Sequence, residues 1–490
     1  MRNNKHHKLH IIPKSPGLII TLLLFLVVEI IFLSLLIALD ILPTILNVLI
    51  LIVFIGLTVL IFKLLVNRKE VTKQRKIGVI LSIVLMVLMG IGSFYLFTTY
   101  AAFSHMSDAD NQYEEFYVVA SRHGSYKKVD DIKGKTVYTY QSTSMAYDSA
   151  KEKLQKKVKV KYEDAGGYMN LKGKLLDDEN KEHDEIIFLS SSNYEMICDY
   201  AENFKKKTRI IYKVSVDINN KDIAKRVGIT SEPFNVYISG IDVYGNINKK
   251  SRSDVNLIAT VNPQTHKILL TTTPRDYYVT IPGVSGTQKD KLTHAGVYGI
   301  DTSIATLENL YDIEIPFFVR VNFSSVENIV DIMGGVDVES KLAFTTGKES
   351  GTVVDVKKGT NHFNGKQALA FVRERHALAA GDNQRGKNQQ ALLTALIHEA
   401  MSPEIILHAN SIINSVAGSA DTNMSENQIK SLIRMQLGTM KGWDVQSVAA
   451  EGDSSGKQYC YSYKGKALYV TVPYESSVSK IKKKMRRALQ

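Results

Sequence analysis

Cysteine is almost absent from this chain: Cys198 and Cys460 are the only two in 490 residues. Two thiols set more than half the chain apart give too few crosslinks for a disulfide framework, and no His/Cys spacing supplies a zinc ligand set. They read as two unpaired small buried residues, with a single bridge between them as the alternative. No internal repeat and no low-complexity linker interrupts the sequence. No small-residue cleavage site follows its first apolar run, which argues against a removable signal peptide. Positive charge is also scarcer than the formal +12 suggests, because residues 1–100 alone carry ten Lys/Arg against Glu29, Asp40 and Glu70. The remaining 390 residues hold 51 basic and 46 acidic groups. An excess concentrated beside apolar runs is what the positive-inside rule expects of a membrane protein, so no nucleic-acid partner is expected.

Long apolar runs, by contrast, are plentiful before residue 100. Gly17 to Leu39, Ile45 to Phe62 and Ile77 to Thr98 each approach the ~20 helical residues that a bilayer core of about 30 Å requires. A wholly soluble or disordered chain is thereby excluded. The basic N-terminus and the basic loop Arg68 to Lys76 place both of those segments in the cytoplasm, and three crossings then put everything from about residue 100 outside. Glu29 lies near the middle of the first run, where an ionisable group is costly. It reads either as a functional carboxyl or as one turned toward the helix bundle or a partner subunit.

Three regions are expected: residues 1–100 with the spans at about 17–39, 45–62 and 77–98, an accessory α/β domain over 101–225, and a catalytic domain over 226–490. In the second region, strand patterns at Lys135–Tyr140, Val158–Glu163, Glu185–Leu189 and Arg209–Val216 alternate with helical ones at Ser144–Gln155, Tyr168–Leu176 and Asn193–Phe204. In the third, strands at Asn235–Ile241, Val255–Asn262 and Lys267–Thr273 precede helices at Gly299–Leu310, Ser325–Met333, Asn383–Met401 and Glu426–Leu437. The turn Pro263-Gln264-Thr265-His266 makes a hairpin of the second and third strands. A mixed sheet covered by helices accounts for this order.

The chemistry concentrates in this third region. Asp242 ends the first strand, and period-two alternation puts Arg252, Asp254 and Asn256 on one face of the second. Across the hairpin, Pro274-Arg275-Asp276 closes the partner strand at nearly the same level. Arg373 and Arg375 share a side if the chain leaves its helix extended at that point, and diverge if it stays helical. Asp382 is expected to cap a helix carrying Arg385 in its first turn and Gln389 one turn on, a natural anion site. Five arginines in one place would repel one another unless an anionic ligand lay among them. The group therefore reads as a pyrophosphate cradle of bidentate guanidinium clamps, with two aspartates for a hard divalent ion. Mg2+ suits such oxygen ligands, with Mn2+ the alternative.

These residues carry a resemblance. Arg252-Ser253-Asp254-Val255-Asn256, Thr273-Pro274-Arg275-Asp276, Lys291-Leu292-Thr293-His294-Ala295, Asp331-Ile332-Met333-Gly334-Gly335-Val336-Asp337 and Gly365 to Arg375 (GKQALAFVRER) follow one another as in the LytR-CpsA-Psr family of cell-wall glycopolymer ligases. With the three spans and the accessory region, the chain resembles the capsular-polysaccharide branch of that family, from a Gram-positive bacterium.

The resemblance implies an α/β fold in which helices sandwich a mixed sheet, with a polyprenyl chain in the apolar interior and the pyrophosphate at its mouth. It implies that Asp242 and Asp254 bind Mg2+, and that Arg252, Arg275, Arg373, Arg375 and Arg385 bind the pyrophosphate, with Gln389 beside them. The implied partners are a polyprenyl-pyrophosphate-linked glycopolymer, peptidoglycan, the lipid bilayer and other capsule-assembly membrane proteins. The implied activity is phosphotransfer of the glycopolymer to peptidoglycan, with Asp276 and Asp382 as candidate proton acceptors. A polyprenyl pyrophosphatase using water, and a non-catalytic scaffold of capsule assembly, are the alternatives. Thr273 stands where Ser is commoner, and the loop from His294 to Gly299 is less glycine-rich than in many relatives.

Overall fold

The protein is described from a computed structural model, covering residues 16–66, 73–107, 112–142, 145–201, 203–218, 227–241, 251–375, 377–378, 381–400 and 420–490. It divides into two compact units.

The first unit contains three apolar helices, α1 (Pro16–Leu39), α2 (Thr44–Val66) and α3 (Lys73–Ser107). All three contain stretches long and apolar enough to cross a membrane, that of α3 being Lys73–Ala101. The third starts four residues before its apolar run because Lys, Gln and Arg are good helix formers. Phe25, Ile61, Leu65 and Met89 pack between the helices, while most of the remaining apolar side chains face outward, as a bilayer solvent demands. Glu29 is buried inside this bundle and accepts from the Thr58 hydroxyl at 2.8 and 2.6 Å, so its carboxyl points at α2. The helix Glu426–Thr439, which the sequence pattern groups with the third region, belongs to this unit. Ser425 caps it, and its Arg434 binds the Asp40 carboxylate in the α1–α2 turn.

The second unit opens with a five-stranded sheet of β1 (Gln112–Ser121), β2 (Thr136–Thr139), β3 (Lys161–Asp164), β4 (Ile186–Ser190) and β5 (Thr208–Ile218), in the order β3-β2-β4-β1-β5. Helices α4 (Met145–Lys157), α5 (Asn170–Leu175), α6 (Ser191–Tyr200) and α7 (Phe204–Lys207) complete it. Both faces are covered. Phe116 and Val118 join one apolar core and Tyr117 and Val119 the other, and every residue of β4 is buried. The sequence pattern does not mark β1, although it pairs with both β4 and β5. Its polar start, with Glu114 and Glu115, hides the strand.

The rest of the unit is built on β6 (Phe234–Ile241), β7 (Ser253–Asn262), β8 (Lys267–Thr272) and a small antiparallel pair, β9 (Tyr278–Thr280) and β10 (Lys289–Lys291). Then come α8 (Leu292–Tyr298), α9 (Ile300–Tyr311), β11 (Phe317–Asn322), α10 (Phe323–Ile332), α11 (Gly365–Arg373) and α12 (Gly381–Ala400). The strands Ala420–Thr422 and Asp444–Ala449 close a six-stranded mixed sheet at its two edges, outside β11-β6-β7-β8. The first edge strand is pinned by a buried Arg320–Asp421 ion pair at 2.6 Å. On one face, Tyr237, Ile258, Leu307 and Tyr311 pack with Ile481 and Met485 of the last helix, Glu475–Ala488. On the other, Leu257 and Leu270 meet Leu393 and Ile397 of α12, but Val236, Ile238 and Val255 are left half-buried. This face is apolar and partly exposed.

A polar knot joins the five-stranded part to the six-stranded part. Fully buried Asp290 lies 2.6 Å from Nδ1 of His294, whose Nε2 is 2.9 Å from the Tyr200 hydroxyl. A proton on Nδ1 donated to the carboxylate leaves Nε2 to accept from Tyr200. Ser462 donates to Asp290 at 3.1 Å, the Tyr168 hydroxyl donates to the Ser462 carbonyl at 2.8 Å, and the Tyr200 ring stacks on Tyr463 at 4.6 Å.

Candidate functional site

At the start of β7 and the end of β8 the hairpin brings two charged segments side by side. Arg275 Nη1 lies 2.6 Å from Asp254 Oδ2, and both side chains are about one-sixth exposed. The turn Pro274 to Tyr277, closed by Tyr277 N–H donating to the Pro274 carbonyl, presents Arg275 there. Thr293, in the first turn of α8, donates its hydroxyl to Asp254 Oδ1 at 3.3 Å and its N–H to the Arg275 carbonyl at 2.8 Å. Glycine at position 296 permits this approach: a Cβ there would meet the Ser251 carbonyl oxygen at 2.6 Å and the Ser253 nitrogen at 2.8 Å. Arg252 sits between those two backbone groups, half-buried.

Asp276 extends the cluster. Its carboxylate lies 2.9 Å from Lys291 Nζ and 3.9 Å from Arg275 Nε. Burial pushes its pKa up, but Lys291, Arg275 and Arg385 outweigh that and hold it below the ordinary carboxylate range. Arg385 of α12 therefore belongs to the same electrostatic group. It is carried there by packing along α12, where Gly386 lies against Thr272 and Gln390 donates to the Val448 carbonyl at 2.7 Å. Gln389 lies one turn beyond Arg385, on the same helix face.

The arginines at 373 and 375 follow the extended alternative. Arg373 ends α11, and Glu374 leaves the helix with φ −63° and ψ 131°. Glu374 is fully buried, accepting from Gly347 N–H, from the Ser350 hydroxyl at 2.9 Å and from Ala377 N–H at 2.9 Å. Arg373 is left half-buried and Arg375 exposed on either side of it. Asn388 donates to the Phe371 carbonyl at 3.1 Å, tying this arm to the α12 segment that carries Arg385.

Asp242 lies outside the described residues. Asp382 is not the residue before α12: the helix begins at Gly381, so Asp382 stands within its first turn. Three participants were not singled out from sequence, namely Lys291, Thr293 and Glu374. The first two stand together in Lys291-Leu292-Thr293, where a basic residue precedes a helix start, and Glu374 is marked only by lying between two arginines.

Among the described residues no group of three or more His, Cys, Asp or Glu could hold a metal. The donor chemistry at Asp254 nonetheless fits Mg2+, which takes one or two carboxylates and completes its shell with water and phosphate oxygens. Asp254 and the Thr293 hydroxyl are hard oxygen donors, and neighbouring cations keep a phosphate-sized anion attracted to the same place. The arrangement can bind a pyrophosphate beside the sheet, where Val255, the neighbour of Asp254 in β7, lies on the partly exposed apolar face.

The LytR_cpsA_psr family model matches residues 192–487. The polyisoprenyl-teichoic acid–peptidoglycan teichoic acid transferase TagU of Bacillus anthracis is 29% identical over 248 residues, which is 50% of this chain and 78% of that protein. Among solved structures, B. subtilis TagV is 27% identical, covering 53% of this chain and 98% of its own, with a TM-score of 0.44. YwtF (TagT) with bound octaprenyl pyrophosphate lipid is 26% identical, covering 54% and 93%, with a TM-score of 0.39.

Proposed function

The chain belongs to the LytR_cpsA_psr family, and from that premise we propose that it transfers a polyprenyl-pyrophosphate-linked glycopolymer, of the capsular class, onto peptidoglycan and releases polyprenyl phosphate. The carrying observation is the Asp254–Arg275–Asp276–Lys291 chain of contacts, joined electrostatically by Arg385, beside a partly exposed apolar sheet face. Few other ligands need both a multi-cation cradle and a long apolar surface. The transferase activity that names TagU of B. anthracis supports the same assignment. Basic segments before α1 and between α2 and α3 support a cytoplasmic N-terminus with both reacting partners outside the cell. The outward apolar faces of α1–α3 are where lipid, and any capsule-assembly membrane partner, would pack.

The residues divide the work. Arg275, Arg385, Arg252, Arg373 and Arg375 neutralise and orient the two phosphates, a task for which planar two-point donors are well suited. Asp254, with Asp242, would hold Mg2+, which when bound supplies further neutralisation of the pyrophosphate oxygens. A peptidoglycan hydroxyl oxygen forms the new bond to the sugar-side phosphorus, the bond to the bridging oxygen breaks, polyprenyl phosphate departs with the electron pair, and the hydroxyl proton passes to water or to the departing phosphate. Asp276 is a poor proton acceptor, because the cations that lower its pKa also lower its basicity. Its part is to seat Lys291 and Arg275.

The test is transfer by the full-length protein in detergent, with a polyprenyl-pyrophosphate-linked donor, peptidoglycan and Mg2+. Arg275→Ala removes one partner of a largely buried charged pair and is expected to cost ~2–5 kcal/mol, at least about thirtyfold in rate. Asp254→Ala is expected to abolish the dependence on Mg2+. Phosphate release that needs no acceptor would indicate a pyrophosphatase. Folded variants that match the parent would reject the transfer reading in favour of a scaffold.

A further inference from the structure

Immediately beyond the cradle, β9 and β10 turn their outer surface into a cavity of about 610 Å3 that the charged cluster does not use. Its walls are Tyr278, Thr287, Gln288, Lys289, Tyr459 and Cys460. The cavity neighbours the site through the strand pair: Tyr278, on its wall, stands directly opposite Lys291, the residue whose ammonium holds Asp276 at 2.9 Å. Hydrogen bonds tie the backbone around the cavity together. The Tyr278 hydroxyl donates to the Tyr459 carbonyl at 2.8 Å, and the Tyr461 N–H donates to the Lys289 carbonyl at 3.0 Å. Tyr459 is itself 66% exposed, so its aromatic surface is accessible to a ligand in the cavity. Lys289 Nζ lies 5.8 Å from the Tyr278 ring and has no carboxylate partner among the described residues. Burial pushes the Cys460 thiol up to about 12, so the floor is uncharged.

Aromatic faces with amide, hydroxyl and ammonium groups around them fit one chemical class. Sugar rings offer apolar C–H faces to tyrosines and hydroxyl or acetamide groups to Gln288 and Thr287, and a carboxylate carried on the glycan answers Lys289. We propose that this cavity is the acceptor subsite, binding a carboxylate-bearing amino-sugar strand so that its hydroxyl reaches the phosphorus held at Arg275 and Asp254. The assignment rests on the transfer reading. It also gives the five-stranded domain a task. The hairpin of Lys457–Cys460 and Tyr463–Tyr469 that supplies Tyr459 is braced by that domain, through Tyr200 stacked on Tyr463 and Tyr168 bonded to Ser462.

The experiment uses the full-length protein in detergent and a soluble tetrasaccharide of alternating N-acetylglucosamine and N-acetylmuramic acid, with binding followed by calorimetry. Tyr459→Ala and Lys289→Ala are each expected to weaken it by about tenfold, and Tyr459→Phe to retain it. Tyr459 is exposed, so its truncation leaves the fold intact. In transfer, Tyr459→Ala should raise the acceptor KM by a similar factor with kcat and the donor KM unchanged. Binding that is absent from the parent, or equal in parent and Tyr459→Ala, overturns the subsite. So does a loss that falls on the donor's own sugars, seen by comparing glycosylated with bare polyprenyl pyrophosphate. Tetrasaccharide binding that depends on Tyr459 in a protein that performs no transfer would leave the subsite standing and remove the function proposed for the whole.

Discussion

Arg275 is the residue on which most of the site converges, because its side chain meets Asp254 and Asp276 while its carbonyl accepts from Thr293. Arg375 differs in kind. It is exposed and is aimed by the burial of Glu374 beside it. Since a lysine ammonium lacks the planar fork, Arg375→Lys should reduce transfer about tenfold or more while leaving thermal stability within about 0.5 kcal/mol of the parent. Parallel rate and melting measurements check it. Asp290 yields a pH prediction. Burial raises its pKa, but His294, Lys291 N–H and Ser462 together bring it below the ordinary range. A group depressed in the folded state contributes stability at pH values above its unfolded pKa and loses it as pH falls through the folded one. Asp290→Asn should therefore lower the melting temperature at neutral pH, and the gap to the parent should close in strong acid. A gap that is constant across the pH series would refute this assignment.

At the scale of elements, α8 is the part that couples the two halves of the second unit. Its first turn carries Thr293 to Asp254 and His294 to Tyr200, on adjacent residues. Its backbone lies so close to Ser251–Ser253 that only glycine fits at position 296. Gly296→Ala must push apart two backbone segments with no flexible side chain to yield, so a loss of ~1–3 kcal/mol is expected. Because Arg252 and Asp254 lie on the displaced segment, transfer should fall further than stability alone explains. Denaturant titration together with transfer rates on the folded fraction would separate the two effects. The hairpin β7–β8 was legible in the sequence because turn chemistry and period-two alternation are local properties. The interior strand β1 was not, since its identity depends on two neighbours from distant parts of the chain, β4 and β5.

Across the whole molecule, function requires that the described site lie on the side of the membrane where peptidoglycan is. Lysine and arginine cluster before α1 and between α2 and α3, while Asp40 is the only charged residue between the first two apolar runs. With a cytoplasmic N-terminus and three crossings, a cysteine introduced at exposed Lys127 should react with an impermeant thiol reagent on intact protoplasts, and one at Lys73 should not. The reverse pattern would contradict the transfer reading along with the topology.

The sequence by itself determined the three apolar helices, the mixed α/β class and the ordered motifs around Asp254, Arg275 and Arg373, because length, hydropathy and turn chemistry act over a few residues. Tertiary structure decided what those motifs do with one another. Lys291 pairs with Asp276, Glu374 turns inward between its flanking arginines, Glu29 faces Thr58, and the helix Glu426–Thr439 joins the apolar helices instead of the sheet. Each depends on groups brought together from afar in the chain, and a Coulomb or hydrogen-bond interaction is set by distance in space, which local sequence pattern does not encode.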